Sequence, residues 1–113
     1  MKLLILVVED ADQVEDCLSA VVELDVAGIQ VVDSATVMDV LAREAPIFAG
    51  LRELITRPKA ASRLILGLAK RDILEDLDRL LKRIGIDLGH SGVGYAFTVS
   101  IDDHYIGQLD FDE

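Results

Sequence analysis

Cysteine is almost missing from this chain: Cys17 stands alone, so no intrachain disulfide can staple the fold. It falls among apolar helix positions, where a lone thiol is expected to pack and not to react. Long apolar runs are missing too. The longest, Leu3 to Val8, has strand length and falls far short of the roughly 20 residues a membrane span needs. That run leads into Glu9-Asp10 without a small-residue cleavage site, so it does not read as a signal peptide, and a cytoplasmic location with no membrane insertion is expected. Basic residues are scarce, 11 against 21 acidic ones, for a net charge of −10. Phosphate backbones are held by clustered Lys and Arg, so nucleic-acid binding is not expected. Histidine is limited to His90 and His104, a poor basis for a zinc or copper centre.

What is present suffices for one core. The 113 residues are 51% hydrophobic and 28% charged, the size and composition of a single domain spanning residues 1–113. Charge is unevenly spread. Residues 1–42 carry one basic and nine acidic side chains, residues 43–83 ten and six, and residues 84–113 none and six. The middle segment is therefore where an anionic ligand is least repelled.

The chain contains an internal repeat at an offset of sixty residues. Leu4-Ile5-Leu6 matches Leu64-Ile65-Leu66, Asp12 matches Asp72, and Glu15-Asp16 matches Glu75-Asp76. Each copy reads as a buried strand followed by a helix. Asp12-x-x-Glu15 and Asp72-x-x-Glu75 fit an acidic capping box. Behind them, Val14, Cys17, Leu18, Val21 and Val22 form one apolar helical stripe, and Ile73, Leu74, Leu77, Leu80, Leu81 and Ile84 form another. Gly28 and Gly85 are expected to end the two helices. The acidic pairs could be drawn as metal ligands or an acid/base couple, but first-turn partners of the helix dipole explain them better.

Ile29 to Ser34 reads as a second strand. Tyr95 to Ile101 reads as a fourth, alternating large apolar with small or polar residues as a strand with one buried face does. Tyr105 to Phe111 could add a short final strand. The order βαββαβ, with continuous apolar strands in the middle and alternating ones at the edges, predicts an α+β, ferredoxin-like two-layer sandwich. A long inserted loop, about residues 35–62, separates the second and third strands.

That loop is longer than a compact domain requires. Val37-x-x-Val40-Leu41 and Leu51-x-x-Leu54-Ile55 suggest helical turns around Pro46-Ile47-Phe48-Ala49-Gly50. Ile47, Phe48, Leu51 and Leu54 are expected either to contact a partner or another subunit, or to fold back on their own domain. The second candidate site is Gly85-x-x-x-Gly89-His90-Ser91-Gly92-Val93-Gly94. Its amides, with the Ser91 hydroxyl, could cradle an anion. The same glycines could equally serve as a plain connection, since no Lys-Ser/Thr and no helix follow. Asp102-Asp103-His104 could mimic a carboxylate–histidine base, yet no nucleophile accompanies it, and a solvated turn is the simpler reading. No catalytic residues are assigned, and the chain is not expected to be an enzyme.

The strand ending in Val32-Asp33-Ser34, the loop carrying Leu41-Ala42-x-x-Ala45-Pro46-Ile47-Phe48-Ala49-Gly50-Leu51-Arg52, and the Gly92-x-Gly94-x-x-Phe97 turn resemble the PII-like signalling proteins. The resemblance is to a divergent branch related to nitrogen regulatory protein P-II. It covers nearly the whole chain. It implies a homotrimer that senses a nucleotide or small metabolite in clefts between subunits and signals through its long loop to a protein partner. Carried over by position, the cleft residues are Asp33, Ser34, Gly92 and Gly94, with Gly89 and Ser91 from the same turn. Three departures separate the chain from the family's ATP-binding pattern. Tyr95 stands where the family has a phosphate-binding lysine, no Lys or Arg follows Arg83, and neither tyrosine lies in the loop. With fewer cations, either a nucleotide is expected to bind more weakly than in the family, or the ligand is less charged, such as a cyclic dinucleotide or nucleoside. The alternative resemblance is to the CutA-like metal-binding trimers, which share the plan.

Overall fold

The computed structural model describes residues 1–35, 37, 40–41 and 62–107. Among these residues four strands are formed: β1 (Lys2–Val8), β2 (Val26–Asp33), β3 (Arg63–Ala69) and β4 (Gly94–Ser100). Two helices join them, α1 (Val14–Glu23) between β1 and β2, and α2 (Leu74–Arg83) between β3 and β4. The sheet is antiparallel throughout, in the order β2-β3-β1-β4. β1 and β3, the near-continuous apolar runs, are the two central strands, and the alternating segments are the edges.

One face of this sheet carries the core. Leu4, Leu6 and Val8 of β1 and Ile65 and Ala69 of β3 cluster with Cys17, Ala20 and Val21 of α1 and with Leu77 and Leu81 of α2. Both helices therefore lie on the same side, giving an α+β arrangement of a helical layer against a sheet. At Gly67 a side chain would strike the Val26 methyl group, so glycine lets the β2 edge close against β3.

The helix ends depart from expectation. A 3-10 turn, Ala11–Gln13, precedes α1, and the amide met first belongs to Asp12, which donates to Asp10 Oδ1 at 3.0 Å. Asp12 is thus inside the turn and does not cap the helix; α1 begins after Gln13 with no side-chain cap. Asp72 is diverted as well. Its carboxylate pairs with Lys2 Nζ at 3.2 Å, and α2 begins after Ile73, again without a side-chain cap. Gly28 does not end α1. The helix stops at Glu23, Asp25 takes the left-handed conformation (φ 60°), and Gly28 (φ 62°) lies within β2 at a bulge between Ala27 and Gln30. Gly85 behaves as the pattern predicts. At φ 86° it donates to the Lys82 carbonyl while Ile86 donates to Leu81, and the buried Ile86 and Leu81 complete a Schellman end. Of the proposed last strand, Tyr105 to Gly107 are not in a strand, and residues 108–111 lie outside the described residues.

Cys17 sits in the core at 1% exposure. Burial, reinforced by the Asp16 charge, pushes its thiol up to about 11 from 9.0. Because the folded state holds this proton more tightly than the unfolded chain, the stabilisation is intact below pH 9 and fades as pH rises toward 11. Urea titrations across that range should show an alkaline loss of roughly 2–3 kcal/mol that disappears in Cys17→Ala. A loss of the same size in Cys17→Ala would assign the effect to other groups.

Candidate functional site

Three features outside the core could carry function: the neck of the long loop, the glycine turn and the open face of the sheet.

The neck is a continuation of the β2–β3 ladder. Asp33 stands opposite Arg63, with Asp33 Oδ1 and Arg63 Nε 3.2 Å apart. One residue on, the Ser34 amide donates to the Ser62 carbonyl at 2.9 Å, and the two hydroxyls lie 2.8 Å apart. Ser62 is buried, and Ser34 partly so. The long loop therefore leaves and re-enters the sheet at adjacent, bonded points. Ser62 and Arg63 were not singled out from the sequence. The signal that would have found them is hairpin pairing across the loop, which places each opposite an already selected residue.

The glycine turn is built by its own side chains. Asp87 Oδ1 accepts the Gly89 amide at 2.8 Å, and the Asp87 carbonyl accepts the His90 amide at 3.0 Å. His90 Nε2 lies 3.6 Å from Asp87 Oδ2. Thus the Gly89 amide, one of the donors considered for an anion, already serves the chain's own carboxylate. Ser91 is exposed beside it. Two glycines have backbone reasons. Gly92 has φ 83° and Gly94 φ 148°, and a Cβ on Gly94 would strike the Val7 carbonyl oxygen. The Val93 carbonyl in turn accepts the Glu9 amide at 2.9 Å, tying the turn to the end of β1.

Strand register places the neck and the turn in one row. Asp33 pairs with Arg63, Arg63 with Val8, and Val8 with Gly94. All four strands contribute, at the same end of the sheet. Asp33 and Gly94 nevertheless occupy opposite edges, three strand spacings or about 14 Å apart. Within one protomer, then, Asp33 and Ser34 are not brought together with Gly89, Ser91, Gly92 and Gly94.

Among the described residues no helix covers the second sheet face, yet it is as apolar as the first. Leu3, Ile5 and Val7 of β1 stand opposite Leu68, Leu66 and Leu64 of β3 and opposite Val99, Phe97 and Tyr95 of β4. Val32 extends the surface onto β2. Tyr95 is 53% exposed, Phe97 42% and Val99 46%. The Tyr95 and Phe97 rings stack at 6.5 Å between centroids. The alternation of β4 thus runs opposite to the simplest expectation: its large residues face away from the helices, and the small Ala96 faces toward them. No charged side chain interrupts this face among the paired strand positions. The area left open is on the order of 500 Å², the upper end of what monomeric proteins leave uncovered.

The remaining candidates resolve into ordinary surface pairs. Asp76 accepts from Arg71 at 3.0 Å and Arg79 at 2.8 Å, and these bonds hold its carboxyl below the usual range. Lys82 is raised by its bond to Asp78, 3.1 Å away. A surface hollow at the start of α2 is lined by Asp72, Leu74, Glu75 and Asp76, an acidic rim that repels phosphate. Among the described residues no three His, Cys, Asp or Glu side chains are grouped to hold a metal ion. Asp102, Asp103 and His104 are exposed beyond β4. Val37, Val40 and Leu41 are helical, with Val37 and Val40 exposed. Ile47, Phe48, Leu51 and Leu54 lie outside the described residues. No helix among the described residues is long and apolar enough to cross a membrane.

No protein-family model matches this chain, and no curated protein matches it by sequence.

Proposed function

We propose that the chain is a PII-like regulatory module with the ferredoxin-like plan, working as a homotrimer. In this reading it senses a small effector in clefts between subunits and passes the signal through its long loop to a protein partner. The observation that carries the proposal is the open sheet face. Central strands that are apolar on both sides require cover on both sides, and the helices cover one. Burying roughly 500 Å² per protomer offers about 12 kcal/mol before association costs, enough to assemble a small acidic protein through a neutral surface. The row joining Asp33 and Ser34 to Gly92 and Gly94 supports a cleft at that rim, where the chain leaves and re-enters the sheet at the loop neck. Arg63 is the one cation among the paired strand residues of that row, so in this reading a nucleotide binds weakly, or the effector is a less charged ligand such as a nucleoside, a cyclic dinucleotide or a small metabolite.

A thermal-shift screen of nucleosides, nucleotides and nitrogen and carbon metabolites at millimolar concentration tests the sensing role. A ligand present at 100 times its Kd should add about 2.7 kcal/mol and raise the melting temperature by several degrees. Unchanged melting curves over the whole panel would remove the sensor and leave an assembly whose loop docks a partner.

A further inference from the structure

Glycine-rich turns attract anions because consecutive amides, unhindered by side chains, can point at one oxygen. The turn before β4 has that composition, yet its first amide is taken. Asp87 Oδ1 accepts the Gly89 amide at 2.8 Å, and the Asp87 main-chain carbonyl accepts the His90 amide at 3.0 Å. One residue thus closes the turn twice, with its backbone and with its side chain. The carboxylate stands where a phosphate oxygen would: a charged acceptor at hydrogen-bond distance from a glycine amide.

The rest of the turn is open. The amides of Ser91 and Gly92 have no acceptor among the described residues, and both residues are exposed. These donors are left to water or to a ligand.

Charge decides which ligand. Lys82 is close enough to feel the Asp87 carboxylate, but its ammonium is held by Asp78 at 3.1 Å. Arg63, in the same row of the sheet as Gly94, faces Asp33 at 3.2 Å. Glu9, whose amide donates to the Val93 carbonyl at 2.9 Å, adds a second acidic residue beside the turn. An anion on the open amides would stand roughly 5 Å from Asp87, where like-charge repulsion near a protein surface weakens binding by about tenfold or more. A hydroxyl or carbonyl oxygen meets no such repulsion.

We infer that Asp87 is the specificity-determining residue of the glycine turn: its carboxylate fills the seat a phosphate oxygen would take, so the turn accepts neutral acceptor groups and rejects phosphate. This rests on the reading above that the turn lines the effector site, and it names the ligand group which that turn selects.

Amide chemical shifts of Gly89, Ser91 and Gly92, followed by NMR during titration with inorganic phosphate, test it, with sodium chloride at matched ionic strength as the reference. In the parent protein phosphate should move these amides no further than chloride does. Asp87→Ala removes the charge and releases the Gly89 amide. It should give saturable, phosphate-specific shifts at all three positions, half-saturating about tenfold below the highest concentration at which the parent shows none. Asp87→Asn keeps an oxygen for the Gly89 amide and so preserves the turn, which covers the case in which Asp87→Ala loosens it. Without the charge it should also bind phosphate, less tightly than Asp87→Ala because one amide stays engaged. Saturable phosphate binding at these amides in the parent would overturn the inference, since Asp87 would then exclude nothing. So would two variants as unresponsive as the parent, which would make Asp87 a turn former alone; that outcome leaves the open face and the trimer untouched. Conversely, phosphate binding by the Asp87 variants would uphold the selectivity of the turn even if the thermal-shift panel were silent and the sensing role struck out.

Discussion

Phe97→Asp should convert the assembled protein to a monomer while leaving the protomer folded. Light scattering on the parent is expected to give three times the 12.3 kDa of the chain, and on the variant a single copy at micromolar concentration. The reasoning starts from register. Phe97 pairs with Ile5 at the centre of the open face, and its ring stacks on Tyr95. A carboxylate there is solvated in a free protomer, where the position is 42% exposed, so folding loses little beyond one aromatic contact. In an assembly the same carboxylate is stripped of water among Leu and Ile side chains, with no cation among the paired strand residues of this face to meet it. The penalty is several kcal/mol per copy, which lowers affinity by two orders of magnitude or more. Circular dichroism should remain that of the parent. A variant that stays trimeric would show that the open face is not the contact surface.

The arrangement of strands was legible because it depends on local pattern. Leu3 to Val8 and Leu64 to Ala69 are uninterrupted apolar runs, and the sheet places them centrally, each within one residue of the expected start. The helices were legible for a similar reason: Cys17 and Val21 of one stripe and Ile73, Leu77 and Leu81 of the other are buried in the core, although Val22, Leu74 and Ile84, expected on the same stripes, are exposed. Capping was not. Whether Asp12 or Asp10 meets the first amide depends on how the chain leaves β1, and Asp72 is drawn away by Lys2 from a strand seventy residues earlier. Alternation in β4 was visible, but period two is the same whichever way the large residues point, so their outward orientation had to come from pairing with β1. At the candidate site, Asp33, Ser34, Gly92 and Gly94 could be selected one by one. Their common row could not, because it is fixed by the register of four strands. The role of Asp87, which takes the Gly89 amide, was hidden by a side-chain rotamer that no pattern encodes.

Leu6→Ala isolates the other face of the same strand. Leu6 is fully buried and faces the helices, opposite Ile65 and Ala96, while Ile5 beside it faces the open side. Removing three carbons from a packed core leaves a partly relaxed cavity and typically costs 2–5 kcal/mol; full burial at the middle of a central strand places Leu6 in the upper half of that range. Against a total stability of about 5–15 kcal/mol, that is the largest loss expected from any single truncation considered. The dependence on concentration distinguishes the two faces. A melting temperature that includes trimer assembly rises with protein concentration by mass action. Leu6→Ala should lower the whole curve without changing its slope, whereas Phe97→Asp should flatten the slope and leave the dilute limit near that of the parent. If Leu6→Ala instead abolished the concentration dependence, the helix-facing core and the association surface would be one coupled unit, and the division of the sheet into a folding face and an assembling face would fail.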